Sequence, residues 1–159
     1  MRSLGALVVS FSIVVGATAF GVNCEAASQD APQARTEDAA AVAAAYISEQ
    51  TDREDLVRIP TRDGVRLAAT LLFPKRLPRE RLPTILIFSP YSAQRITGFF
   101  GRQIQGFLSA GYAVALVNSR GRYFSEGTYR FLGGSANDGY DTIDWLSRQA
   151  WSNGKLGTF

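Results

Sequence analysis

A continuous apolar run, Ile85–Phe88, stands at the centre of residues 82–91. Such a run predicts a strand that is buried on both faces. Pro90 cannot donate a hydrogen bond to a neighbouring strand, so we predict that the strand ends at Ser89. Tyr91 then stands just past the carboxyl end of this strand, which is the edge where open α/β sheets bind ligands. This stretch alone leaves two roles open for the Tyr91 side chain. Tyr91 could take part in the chemistry of a site, or its ring could cap the core while its hydroxyl points into solvent.

The hydrophobic pattern on either side of this strand predicts an α/β fold. Two alternating segments, Leu56–Pro60 and Arg66–Phe73, are joined by an Asp63-Gly64 turn and predict an antiparallel hairpin. Downstream, the pattern predicts a helix at Ile96–Ala110, a strand at Ala113–Val117 and a second helix at Asn137–Gln149. A tight turn at Asn153-Gly154 then leads to the start of a last strand at Leu156–Phe159. Helices that alternate with buried strands indicate parallel strands with right-handed crossovers after the hairpin.

Both helices are amphipathic in sequence. In the second, Tyr140, Ile143, Trp145 and Leu146 predict an apolar side. In the first, Phe99, Phe100 and Phe107 are expected to pack between helix and sheet.

Residues 1–26 have the pattern of a signal peptide. Arg2 precedes the apolar run Leu4–Val15, and Ala17-Thr18-Ala19 offers a cleavage site, with a cut after Ala26 as the alternative. The run is shorter than the roughly 20 apolar residues that a membrane span needs. We therefore expect a secreted or periplasmic protein without a membrane span after cleavage.

Residues 27–54 are small, polar or alanine-rich and predict a flexible leader with a weakly docked helix from Thr36 to about Gln50. We place the start of the main domain, residues 55–159, at Asp55.

Composition excludes several classes of site. The chain contains no histidine, which removes the commonest general base and the commonest zinc ligand together. One cysteine, Cys24, cannot form an internal disulfide. The net charge of +3 comes from scattered basic residues, so no nucleic-acid partner is predicted. We interpret Asp138, Asp141 and Asp144, which share a helix face, as cap and solvent-facing residues rather than as a metal site.

Five motifs, taken together and in order, resemble the cocaine esterase and X-Pro dipeptidyl-peptidase family. They are Val57–Leu67, Ser89-Pro90-Tyr91, Ser119-Arg120-Gly121 followed by Ser125-Glu126-Gly127, Asp138–Leu146, and Trp151–Gly157. The resemblance covers about residues 55–159. It implies part of an α/β-hydrolase sheet, in which Leu156–Phe159 and Ala113–Val117 flank Thr84–Ser89 and the hairpin lies beyond Ala113–Val117.

The resemblance also implies a serine hydrolase that acts on small-molecule or peptide esters or amides without a metal or organic cofactor. In the family, residues after Phe159 would read Gly-Xaa-Ser-Tyr-Xaa-Gly, and the triad Asp and His would follow the serine. We therefore expect the nucleophile, the Asp and the His to be absent from this chain, and the chain alone to be inactive. Tyr91 matches the tyrosine whose hydroxyl helps to form the oxyanion hole, and with this context we favour that role.

The other motif residues have structural interpretations. Arg120 is expected to pair with Glu126 or Asp138 and to hold its loop. Ser119 and Ser125 lack the strand-to-helix elbow that a nucleophile needs.

Two rival interpretations stay open at this point. One is a non-catalytic secreted binding module on a truncated α/β sheet, which a stop directly after Phe159 would favour. The other is a serine hydrolase related to prolyl oligopeptidase, against which the Pro-Tyr and Arg-Gly segments argue.

Overall fold

A computed structural model describes residues 31–131 and 136–159, with side chains from residue 37 onward. Within these ranges the elements are α1 (Ala31–Glu49), β1 (Thr51–Pro60), β2 (Arg66–Pro74), β3 (Leu82–Ser89), α2 (Ala93–Ser109), β4 (Ala113–Asn118), α3 (Ala136–Ser147) and β5 (Ser152–Thr158). The predicted signal peptide lies outside the described residues. None of the described helices combines the length and apolar character of a membrane span.

The five strands form one mixed sheet in the order β1-β2-β4-β3-β5. β1 and β2 form the predicted antiparallel hairpin, and β2 also pairs antiparallel with β4. β3 pairs in parallel with β4 on one side and with β5 on the other, so that Thr84 lies opposite both Ala113 and Leu156. The predicted fold class is confirmed, and β3 is flanked by β4 and β5 with the hairpin beyond β4, as predicted. Because β3, β4 and β5 run in parallel, their carboxyl ends meet at one side of the sheet, called the carboxyl edge below.

Helices cover both faces of the sheet. On one face, Leu146 of α3 is fully buried in the same cluster as Leu82 and Leu86 of β3. On the other face, Ile47 of α1 is buried with Ile104 of α2. The intervening strands are buried on both faces, which explains why β3 and β4 are apolar runs rather than alternating patterns.

Helix α2 begins three residues earlier than predicted because Ser92 caps it, with the Ser92 Oγ accepting a hydrogen bond from the Arg95 amide at 3.2 Å. The helix kinks at Phe100, whose φ and ψ are −115° and 21°. Its buried positions are Ile96, Gly101, Ile104 and Leu108. Phe99 falls on the outer face and is 64% exposed, and Phe100 is also exposed. The predicted packing between helix and sheet is therefore wrong for Phe99, whereas Phe100 contacts Phe159 at the end of β5 and Phe107 is partly buried against the sheet.

The amino-terminal elements begin earlier than their sequence pattern indicates. α1 begins at Ala31 rather than Thr36, and β1 begins at Thr51 rather than Leu56. A bulge separates Glu54 from Val57 in the pairing with β2, and Leu56 adopts a φ of +58°. The bulge changes which face successive side chains occupy, so the alternation expected of one continuous strand is broken.

The last helix and strand also differ from prediction. The buried residues of α3 are Asp138, Thr142 and Leu146, while Tyr140 and Ile143 are exposed, so the predicted apolar side is wrong for these two. The predicted Asn153-Gly154 turn is a bulge inside β5. There the Asn153 Oδ1 accepts a hydrogen bond from the Lys155 amide at 2.9 Å, and Gly154 has a φ of +80°.

Candidate active site

Tyr91 stands at the carboxyl edge, between the end of β3 and the cap of α2. Ser89 is the last residue of β3, Pro90 ends the strand, and Ser92 begins the next helix. The sheet and the helix therefore fix both ends of the short connection that carries the phenol. The Tyr91 side chain is not enclosed, since the residue is 46% exposed.

Hydrogen bonds from two neighbouring strands hold the backbone of this connection. The Tyr91 amide donates to the Ser89 Oγ at 3.1 Å, and the Asn118 side-chain amide donates to the Tyr91 carbonyl at 2.7 Å. The Arg122 Nε donates to the Pro90 carbonyl at 3.2 Å. The peptide groups before and after Tyr91 are thus fixed from β3, β4 and the loop that follows β4.

Asn118 and Arg122 were not among the predicted partners of Tyr91. A signal for Asn118 was available, because parallel pairing places Asn118 directly opposite Ser89. A polar residue that ends one parallel strand lies beside the residues that follow its neighbour.

A cation lies over the Tyr91 ring. The Arg95 guanidinium carbon is 5.3 Å from the centroid of Tyr91 and 5.5 Å from that of Phe99. These distances fall within the range of cation–π attraction. Arg95, from the first turn of α2, therefore brings positive charge beside the phenol.

Strand β5 approaches the same edge. Its ladder pairs Thr158 with Leu86, and the Phe159 amide donates to the Leu86 carbonyl at 3.0 Å. The Phe159 ring packs edge-on against Phe100 and Phe107 of α2, at centroid distances of 5.4 and 5.5 Å. The carboxyl end of β5 is thus held against β3 and α2, on the side of the sheet where Tyr91 stands.

Arg120, in the loop after β4, binds two carboxylates from different parts of the chain. It contacts Asp138 of α3 at 2.6 Å and Asp63 of the hairpin turn at 2.9 Å. The Asp138 side chain is only 4% exposed. Hydrogen bonding to Arg120 lowers the pKa of the Asp63 carboxyl well below its usual range, and hydrogen bonds to Asp138 and Asp63 raise the pKa of Arg120. Of its two predicted partners, Arg120 thus pairs with Asp138 and not with Glu126.

Glu126 instead pairs with Arg66, with 2.7 Å between the Glu126 Oε1 and the Arg66 Nη2. Beside it, the buried Ser125 Oγ accepts from the Ala68 amide and donates to the Asn118 carbonyl, both at 2.8 Å. Ser125 therefore links β2 to the end of β4.

The two glycines of this motif are required by the shape of the loop. Gly121 has a φ of +70°, and a Cβ atom there would lie 2.2 Å from the Tyr129 backbone nitrogen. Gly127 has a φ of +83°, and its Cβ would lie 2.8 Å from the Arg120 side chain. Residues 120–127 therefore form a compact loop that contacts the Tyr91 connection through Arg122.

The three aspartates of α3 have separate arginine partners. Asp138 pairs with Arg120, Asp141 with Arg62 and Asp144 with Arg148. The interpretation of all three as cap or solvent-facing residues is wrong for Asp138, which is buried. Within residues 31–131 and 136–159, no group of three or more histidine, cysteine or acidic side chains is arranged to hold a metal ion.

The mixed five-stranded sheet with helices on both faces is that of part of an α/β-hydrolase. A family model described as X-Pro dipeptidyl-peptidase (S15 family) matches residues 63–159, and the chain belongs to this family. The resemblance inferred from the five motifs is thereby confirmed.

Relatives agree with this assignment. Cocaine esterase from Rhodococcus sp. (strain MB1 Bresler) is 33% identical over 105 residues, which cover 65% of this chain and 18% of the esterase. An α-amino acid ester hydrolase superposes with a TM-score of 0.59 at 32% identity, covering 70% of this chain and 21% of that one. An aminopeptidase from a marine sediment archaeon (Thaumarchaeota archaeon) gives a TM-score of 0.58 at 31% identity, covering 69% and 21%. The chain thus spans about a fifth of the length of these relatives.

Proposed function

We propose that this chain is the amino-terminal part of a secreted serine hydrolase that cleaves ester or amide bonds, and that Tyr91 donates a hydrogen bond to the oxyanion. The observation that carries the proposal is the position of Tyr91. Its phenol stands on a connection held from two strands, at the edge that the carboxyl end of β5 also approaches. Membership of a hydrolase family, and relatives named as an esterase, an ester hydrolase and an aminopeptidase, support the reaction class.

The proposed nucleophile is a serine in residues that follow Phe159, with an aspartate and a histidine further along, because these 159 residues contain no histidine. The serine Oγ attacks the substrate carbonyl carbon while the histidine takes its proton. The C=O electron pair moves to oxygen, and the Tyr91 hydroxyl donates a hydrogen bond to that oxyanion. Collapse expels the alcohol or amine, which receives the proton, and water then releases the acid by the same route.

Tyr91 suits this role because oxyanion stabilisation needs a donor that is already in place when charge develops. The hydrogen bonds from Asn118 and Arg122 to the neighbouring carbonyls restrain the backbone that carries the phenol. No metal or organic cofactor is required by this scheme. Secretion is proposed from the pattern of residues 1–26, and amino-terminal sequencing of the exported protein tests it.

The hydrolase proposal is tested in the polypeptide that carries this chain and continues past Phe159. Tyr91→Phe removes only the hydroxyl, and we expect kcat for 4-nitrophenyl acetate to fall by about a hundred- to a thousandfold. Tyr140→Phe is the matched control, because Tyr140 is an exposed tyrosine on α3 and kcat should not change. An unchanged kcat in Tyr91→Phe rejects the oxyanion role. A polypeptide without hydrolase activity rejects the enzyme proposal and favours a binding module.

A further inference from the structure

At the carboxyl edge, the described carboxylates all have arginine partners, whereas some of the arginines have no carboxylate partner. The described carboxylates around this edge lie in the hairpin turn, in the loop after β4 and in the first turns of α3. Each is paired with an arginine: Asp63 and Asp138 with Arg120, Glu126 with Arg66, and Asp141 with Arg62. Two arginines contact the segment that carries the phenol, Arg95 at the Tyr91 ring and Arg122 at the Pro90 carbonyl. Neither forms an ion pair with any described carboxylate within 4.0 Å. The free charge beside Tyr91 is therefore positive.

The guanidinium groups of Arg122 and Arg95 differ in how available they are to a ligand. Arg122 already donates to the Pro90 carbonyl, and its guanidinium carbon lies 4.9 Å from the centroid of the Tyr129 ring. It is only partly exposed and serves the connection that carries Tyr91. Arg95 is exposed, and its described contacts are with the rings of Tyr91 and Phe99. No described hydrogen bond or ion pair uses the guanidinium N–H groups of Arg95, so these donors are available to a ligand.

We propose that Arg95 binds a carboxylate of the substrate, so that the substrate class is an ester or amide that carries an anionic group beside an apolar body. This inference rests on the proposed function, since it places the carboxylate next to the carbonyl that Tyr91 would contact. A guanidinium fork matches a carboxylate bidentately, which an ammonium does not. The exposed Phe99 ring supplies apolar surface next to the charge.

The binding step can be measured on the full 159-residue chain without any turnover. The probes are phenylacetate and its neutral isostere phenylacetamide, titrated while amide NMR shifts of residues 89–99 are followed. We expect phenylacetate to bind more tightly than phenylacetamide. Arg95→Gln should weaken phenylacetate binding by up to about fivefold, as expected for one exposed charge pair, and leave phenylacetamide binding unchanged. Arg95→Lys keeps the charge and should recover only part of the loss.

Arg102→Gln is the matched control, because Arg102 is an exposed arginine two turns along the same helix. It changes net charge equally and should leave both affinities unchanged. Equal binding of the two probes, an anion preference that survives Arg95→Gln, or the same loss in Arg102→Gln would each overturn the inference. The hydrolase proposal fails separately, through an unaltered kcat in Tyr91→Phe or an inactive polypeptide, so the two failures cannot be confused.

Discussion

The side-chain amide of Asn118 donates a 2.7 Å hydrogen bond to the backbone carbonyl of Tyr91. Asn118 ends β4 and lies opposite Ser89, which ends β3. The Ser119 amide extends the contact by donating to the Ser89 carbonyl at 2.9 Å. The bond therefore joins two neighbouring parallel strands just beyond their ladder, and it ties the position of the phenol to the sheet itself.

Asn118→Asp should loosen the Tyr91 connection, because it replaces the donor with a carboxylate oxygen that faces a carbonyl. We expect the free energy of unfolding to fall by about 1–2 kcal/mol and the Tyr91 amide to exchange its hydrogen faster. Urea unfolding and NMR-detected hydrogen exchange measure the two effects. Asn137→Asp is the control, since the Asn137 Oδ1 only accepts from Arg62 and an aspartate keeps that acceptor. Unchanged exchange at Tyr91 would show that Asn118 does not hold it.

Arg120→Gln should destabilise the fold far more than removal of an exposed arginine. It leaves the carboxylate of Asp138, whose side chain is only 4% exposed, without its ionic partner. Breaking a buried pair from one side costs about 3–5 kcal/mol. Arg148→Gln, whose arginine is 75% exposed in its pair with Asp144, should cost no more than about 1 kcal/mol. Equal urea midpoints for the two variants would mean that the Arg120–Asp138 pair contributes little.

The central architecture was predictable because it depends on local pattern. Apolar runs, Pro90 and the hairpin turn fix where β2, β3 and β4 lie, and alternation with helices fixes parallel pairing. The position of Tyr91 at the carboxyl edge follows from the strand end alone. Its role does not, because the residues proposed to act with it lie outside this chain.

The hydrophobic pattern could not predict contacts between segments that are distant in the sequence. Arg120 joins Asp63 to Asp138. Asp138 was one of its two predicted partners, but Asp63 was not, because a separation of 57 residues leaves no trace in any local spacing. The same ion pair explains the error on α3, since a buried aspartate occupies a position that hydropathy assigns to solvent. Phe99 and Tyr140 were predicted to be buried because hydropathy depends only on the type of side chain and not on its surroundings in the fold. Both rings are exposed.

Stability should depend on pH through carboxylates whose pKa values are lowered by arginines. Hydrogen bonding to Arg66 lowers the pKa of Glu126, and hydrogen bonding to Arg62 lowers that of Asp141. A depressed pKa in the folded state means that the stabilisation is present above the unfolded pKa, about 4, and is lost as pH falls through the folded value. We expect the free energy of unfolding to decline below about pH 5.

Arg66→Gln isolates one of these pairs. It should lower stability at pH 7 but less so at pH 3, because pH 3 lies below the unfolded-state pKa of a glutamate and the stabilisation from a lowered folded-state pKa is being lost there, so that the two urea curves converge. Because both partners are exposed, 0.5 M NaCl should shrink the difference at pH 7. Arg76→Gln, at an exposed position in the loop after β2, controls for net charge and should show no convergence. A constant difference between wild type and Arg66→Gln across this pH range would contradict the assignment.

Helix α1 should contribute to the stability of the sheet, because one face of the helix packs in the core and its last turn is hydrogen-bonded to the end of β2. Ile47 and Ala43 are buried, and Ile47 packs in the cluster that includes Leu72 of β2 and Ile104 of α2. The Lys75 Nζ donates to the Glu49 carbonyl at 2.7 Å and so ties the end of the helix to the end of β2.

Ile47→Ala removes a buried branched side chain and should lower the free energy of unfolding by about 2–5 kcal/mol, measured in urea. Val42→Ala, on the 60% exposed outer side of the same helix, should change it by less than about 0.5 kcal/mol. Both variants alter helix propensity in the same direction, so the contrast reports burial. If the two variants unfold at the same urea concentration, α1 lies on the sheet without contributing to its stability, and the cooperative unit begins at β1.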